Sequence, residues 1–96
     1  MTLLYSHAAF LEHDTGAGHP ERPERLQAIM DALEAEEFRT LDRQAPPEAA
    51  VEQIALAHPK DYVEAVLRAV PARGHVHLDA DTAMSPGSGE AARRGV

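Results

Sequence analysis

An α/β domain, represented mainly by its helices, is the fold class this sequence predicts, and three observations predict it. A short apolar run at Leu3 to Tyr5 opens as a strand, a long amphipathic helix follows over residues 20 to 36, and a last helix has hardly begun after Ser85 when the sequence stops. That order suits the opening of a domain whose parallel sheet is completed elsewhere. The 96 residues have room for one modest core.

Leu3 to Tyr5 is closed by polar residues and is long enough for a buried strand. His13-Asp14-Thr15-Gly16-Ala17-Gly18-His19 combines glycines with turn-forming residues and reads as a loop. Pro20 then suits the first turn of a helix, with Glu21 and Glu24 where the helix dipole favours negative charge. Leu26, Ile29, Met30 and Leu33 share one face of that helix, and Glu21 and Arg25 are spaced for an intrahelical ion pair. Arg39 to Ala45 is a connector or a short edge strand ahead of Pro46-Pro47.

Glu48 to Ala57 reads as a second helix, with Val51, Ile54 and Ala55 as its apolar positions. Pro59 opens a third, in which Tyr62, Val63, Val66, Leu67 and Val70 form a core stripe and Lys60, Asp61, Glu64 and Arg68 face water. Pro71 and Gly74 end it. His75 to Thr82 alternates in character, and Ser85-Pro86 supplies an N-cap and a first-turn proline for the last helix.

The composition, 44% apolar and 26% charged, is that of a globular chain. Sixteen acidic against nine basic residues, a formal charge of −7, disfavour nucleic acid and favour cationic ligands. The absence of cysteine excludes disulfides, a thiolate nucleophile and Cys-containing zinc sites. The first residues lack the pattern of a signal peptide and no stretch is apolar enough to span a membrane, so a cytoplasmic location and no membrane partner are expected.

Three blocks, "HDTGAGHPERPERLQAI", "LAHPKDYVEAV" and "LDADTAMSPGSGEAARR", resemble successive segments of the histone deacetylase and acetylpolyamine amidohydrolase family, in that family's order. The similarity runs from about His13 to Arg94 and is nearest to bacterial members that resemble class II enzymes. It implies the amino-terminal part of an arginase-like, three-layer α/β fold with a parallel sheet. It also implies a zinc-dependent hydrolysis of acetyl-lysine or acetylpolyamine amides. On this resemblance residues 1–96 are an incomplete domain that ends before the family's paired histidines and Asp-x-His ligands, and the chain alone is expected to be inactive. The ending "AARRGV" departs from the expected alanine- and glycine-rich continuation, which leaves a premature stop or a frameshift open.

The resemblance places Asp81, or Asp79, at the pocket rim as an acceptor for substrate backbone N–H groups. It places His13, Asp14, His19 and Pro20 in the loop bordering the entrance. From residue types alone, His75, His77, Asp79 and Asp81 alternate like metal ligands, but an extended strand spreads them over about 20 Å, so a solvated edge is expected instead. Ser85 and Ser88 lack the Gly-x-Ser-x-Gly pattern of a nucleophile elbow. No metal ligand and no catalytic residue is expected within the chain. The competing reading is a small helical interaction module, or a decayed remnant, that uses its apolar stripes to hold a partner.

Overall fold

In the computed structural model, which describes all 96 residues, strand β1 (Leu3–Tyr5) pairs in parallel with β2 (Asp42–Gln44), Leu3 standing opposite Asp42 and Tyr5 opposite Gln44. Parallel neighbours need a crossover, and here it contains a 3₁₀ turn at Ala8–Glu12, a loop, helix α1 (Pro23–Ala32) and a second 3₁₀ turn at Glu36–Phe38. The chain is thus α/β, as expected, and the Arg39–Ala45 connector resolves into the second strand.

Helix α1 starts three residues later than the predicted Pro20. Arg22 precedes Pro23 and is extended, with φ −147° and ψ 153°, because the proline ring crowds the helical region of the residue before it. Glu21 is drawn into the loop: its N–H donates to His19 Nδ1 at 3.0 Å and its carbonyl accepts the Thr15 hydroxyl. The expected Glu21–Arg25 pair is therefore absent, and the Glu21 carboxylate lies 3.7 Å from His13 Nε2. Leu26, Met30 and Leu33 are half-buried while Ile29 is 47% exposed, so the stripe is narrower than predicted.

Helix α2 spans only Val51–Ile54, not 48 to 57. Its upstream residues are held by the last helix, α4 (Ser88–Gly95): the Ala49 N–H donates to the Arg93 carbonyl at 2.8 Å, and Arg93 Nε donates back to the Ala49 carbonyl at 3.0 Å. Ala50, next to it, is extended at φ −73° and ψ 156°, so the helix starts only at Val51. Helix α3 (Lys60–Ala69) buries Val63, with Val66, Leu67 and Val70 half-buried. Tyr62, assigned to the core from sequence, is instead 55% exposed and packs its ring on His58, centroids 5.8 Å apart. At about 100° per residue it stands well round the helix from Val63.

Strands β3 (Val76–His77) and β4 (Ala83–Met84) form an antiparallel hairpin. Helix α4 begins at Ser88 with Gly87 as its N-cap, and Ser85 is not the cap that its place before Pro86 suggested. Its hydroxyl has a long-range task, described below. The ten buried residues are small or medium: Ala9, Ala49, Val63, Ala83, Met84 and Ala91, with Thr15, Pro46, Ser85 and Ser88 among them. The Cα radius of gyration is 15.0 Å, against about 12.5 Å for a compact domain of this length, and the body is a slab of 43 × 33 × 19 Å.

Gly87 is where α4 meets the Ala8–Glu12 turn, and a Cβ there would stand 2.5 Å from both Cβ and O of Glu12. Gly87→Ala is expected to cost about 1–3 kcal/mol through overpacking. Gly89→Ala, whose Cβ would meet only the Val70 side chain, nearest at 3.3 Å, should cost less. Thermal unfolding of the two variants checks the order.

Candidate functional site

Two segments far apart in sequence, the loop 13–22 and the stretch 75–88, meet along one seam. Ser85 stands at its centre. Its Oγ donates to the Glu12 carbonyl at 3.1 Å and accepts the Asp14 N–H at 2.9 Å, so one hydroxyl holds the loop's first residues on both sides. Ser88 Oγ accepts the Ser85 N–H at 2.8 Å and hydrogen-bonds His13 Nδ1 at 2.7 Å. Both serines are 5% exposed, which makes their pairing obligatory. Farther along, Asp14 Oδ2 lies 3.4 Å from His75 Nε2, and His19 Nε2 lies 2.9 Å from the Asp81 carbonyl.

The loop is also closed on itself. Gly16, at φ 100°, takes a left-handed turn that a side chain would strain, and its N–H donates to Asp14 Oδ1 at 2.9 Å. That N–H, joined by His75, holds the Asp14 carboxyl below the ordinary value of 3.8. Across the seam the Asp81 N–H donates to Asp79 Oδ1 at 2.8 Å, and this bond, with contributions from Thr82, holds Asp79 low as well.

The rim residues expected from sequence fall into two groups. His13, Asp14, His19 and Asp81 come together at the seam, and Pro20 lines an open cleft of about 560 Å³ with His19, His77 and Asp81. Asp79 lines no part of that cleft; its carboxylate is taken up by its own turn. His75, His77, Asp79 and Asp81 do not converge, and no three His, Asp or Glu side chains are grouped to hold a metal ion.

Sequence reasoning missed the seam itself, in which Ser85, Ser88, Gly87 and His75 take part. The signal available was a cluster of small residues, "SPGSG", at a place where a hydroxyl and a bare Cα can face another backbone. Ser88, His13 and Glu21 line up as hydroxyl, imidazole and carboxylate, but the last step is 3.7 Å and Ser88 Oγ already accepts the Ser85 N–H. That arrangement is a structural strut, buried only at its serine end.

Residues 19–96 match the histone deacetylase domain family. A curated Synechocystis sp. protein described as uncharacterized protein slr0245 is 34% identical over 100 residues, covering 100% of this chain and 32% of the relative. Among solved structures, the crystal structure of the HDA15 HD domain superposes with a TM-score of 0.82 at 24% identity, over 97% of this chain and 28% of that one. The chain thus spans about a third of the curated relative's length.

Ser85→Ala leaves the Asp14 N–H and Glu12 carbonyl without their partner and is expected to lower stability by about 1–3 kcal/mol, read from thermal unfolding of the intact protein. The two depressed carboxyls each close their own turn, Asp14 on the Gly16 N–H and Asp79 on the Asp81 N–H, and protonation would weaken each bond. A folded pKa below the ordinary 3.8 means that the stabilisation is present above that value and is lost as pH falls through the lower folded values. Protection of the Gly16 and Asp81 amides, read as exchange relative to the intrinsic rate at each pH, should fall over that interval, and Asp14→Asn should remove that dependence at Gly16 alone.

Proposed function

We propose, from the premise that this chain belongs to the histone deacetylase family, that it builds one side of the substrate entrance of a hydrolase acting on acetylated lysine or polyamine side chains. The observation that carries the reading is the seam, because it joins two of the family-like blocks into a single fixed rim around an open cleft. The thin slab and the half-exposed Leu3 and Tyr5 on β1 support a role as part of a larger α/β body. The net charge of −7 suits a cationic substrate, and a cytoplasmic setting is the one we favour.

Within this chain, Asp81 is the residue we assign to substrate. Its backbone is anchored at both N–H and carbonyl, and its exposed side chain lines the cleft, where a carboxylate can accept backbone N–H groups of a peptide. Asp79, the other expected acceptor, is spent on holding Asp81 in place. His13 and Asp14 anchor the loop, while His19 and Pro20 form the opposite wall.

The zinc implied by the family does not fit the donor set of these 96 residues, which gather no group of ligands. We therefore assign no catalytic step to this chain: the metal ligands and the groups that handle the hydrolytic water would belong to other segments of the protein.

The test is an acetate-release assay on the protein encoded by the complete reading frame, with an acetyl-lysine peptide and an acetylpolyamine offered separately. Release from at least one is expected, and failure on both would overturn the reading. The 96-residue chain alone should release none. In the active protein Asp81→Ala should raise KM about tenfold or more with little change in kcat, the mark of lost substrate binding.

A further inference from the structure

His19 makes two hydrogen bonds that only one form of its ring can make together. Its Nδ1 faces the Glu21 N–H at 3.0 Å, a donor, so Nδ1 must be the bare, accepting nitrogen. Its Nε2 faces the Asp81 carbonyl at 2.9 Å, an acceptor, so Nε2 must carry the hydrogen. The neutral Nε2–H tautomer satisfies both partners, whereas the imidazolium would lose the bond from the Glu21 N–H and the Nδ1–H tautomer would lose both.

The turn at the other end of that bond has little else to hold it. Residues 79 to 81 are exposed, and the turn's remaining hydrogen bonds, Leu78 N–H to the Thr82 carbonyl at 2.8 Å and Asp81 N–H to Asp79 Oδ1, are internal to the hairpin. The bond from His19 is the one hydrogen bond that ties residues 79 to 81 to a different part of the chain. His19 itself is secured, since Glu21, its second partner, is fixed by the Thr15 hydroxyl, and the His19 N–H donates to the Gly16 carbonyl at 3.5 Å.

We propose that His19 is a positioning residue: as the neutral Nε2–H tautomer it spans from the loop to the Asp81 carbonyl and sets where the Asp81 carboxylate stands on the rim of the cleft. The geometric part rests on the two hydrogen bonds, and the consequence for substrate rests on the deacetylase reading above. His19 acts through Asp81 and need not touch the substrate.

Two substitutions separate the bonds. In His19→Asn a short amide can still accept the Glu21 N–H but cannot reach Asp81. In His19→Gln the amide nitrogen extends to about the place of Nε2 and can still donate to the Asp81 carbonyl. Three readouts on the intact protein follow. Nitrogen-15 spectra of labelled histidine should show His19 as the Nε2–H tautomer at neutral pH. Exchange of residues 78–82 should rise about threefold to tenfold in His19→Asn, with α1 and α3 unchanged, and return toward wild type in His19→Gln. With an acetyl-lysine peptide, KM should follow the same order while kcat stays level. An Nδ1–H or charged His19, or wild-type exchange in His19→Asn, overturns the proposal. If exchange behaves as stated but the protein releases no acetate from any substrate, the deacetylase reading fails and the positioning role stands. If the protein is active and KM ignores both substitutions, the link from His19 to substrate is wrong.

Discussion

The Ser85 hydroxyl is the contact on which the arrangement of this chain turns. It lies between a carbonyl and an N–H of the segment that leads into the loop, at residues 12 and 14, and it is almost fully buried. A hydroxyl can donate once and accept twice, so it satisfies an exposed carbonyl and an exposed N–H of a non-regular backbone together. No apolar side chain of that size could do so. The close approach this requires is possible because residue 87 has no Cβ: the backbone of Glu12 occupies the space where one would be.

The seam matters because the apolar core cannot hold the two segments by itself. The buried apolar core is mostly alanine, with Val63 and Met84 the larger members, and no large side chain is fully enclosed. Hydrophobic stabilisation scales with the apolar area removed from water, and a slab 19 Å thick removes little. Directional bonds therefore carry the positioning: the two serines at the middle of the seam, Asp14 with His75, and His19 with Asp81 toward the cleft. Such bonds contribute modestly to stability but define geometry closely, so they fix the loop against the hairpin.

The division of work between the two aspartates follows from the same directional logic. Both occupy the turn between β3 and β4, and residue type alone leaves either as the acceptor. Asp79 is two residues before Asp81, the spacing at which an aspartate side chain accepts a backbone N–H and closes a turn, and it does so. Asp81 is left with a held backbone and a free side chain. The alternating His75, His77, Asp79 and Asp81 that resembled a metal set are thereby dispersed, one pairing with Asp14 and one closing a turn.

What the sequence determined by itself is whatever depends on neighbours within a few positions. The strand β1, the stripe of Val63, Val66 and Leu67 on α3 continuing to Val70 at its end, and the turn chemistry of residues 13–19 appear where local patterning puts them, although β1 is not the buried strand expected: Leu3 and Tyr5 stay half-exposed. The three ordered blocks likewise identified the family, because ordered motifs survive where contacts cannot be read. Tertiary structure decided where helices start and which polar groups meet. Helix α1 begins at Pro23 and α4 at Ser88 because the residues just ahead of them, Glu21 and Ser85, are engaged by the loop and by the seam. Those seam partners lie 61 to 75 residues apart, too far for any period or spacing to signal them. A hydrogen bond across such a distance does not name its partner in local sequence: a cluster of small residues such as "SPGSG" shows that a backbone can come close, but either partner, seen alone, looks like an ordinary cap or loop residue.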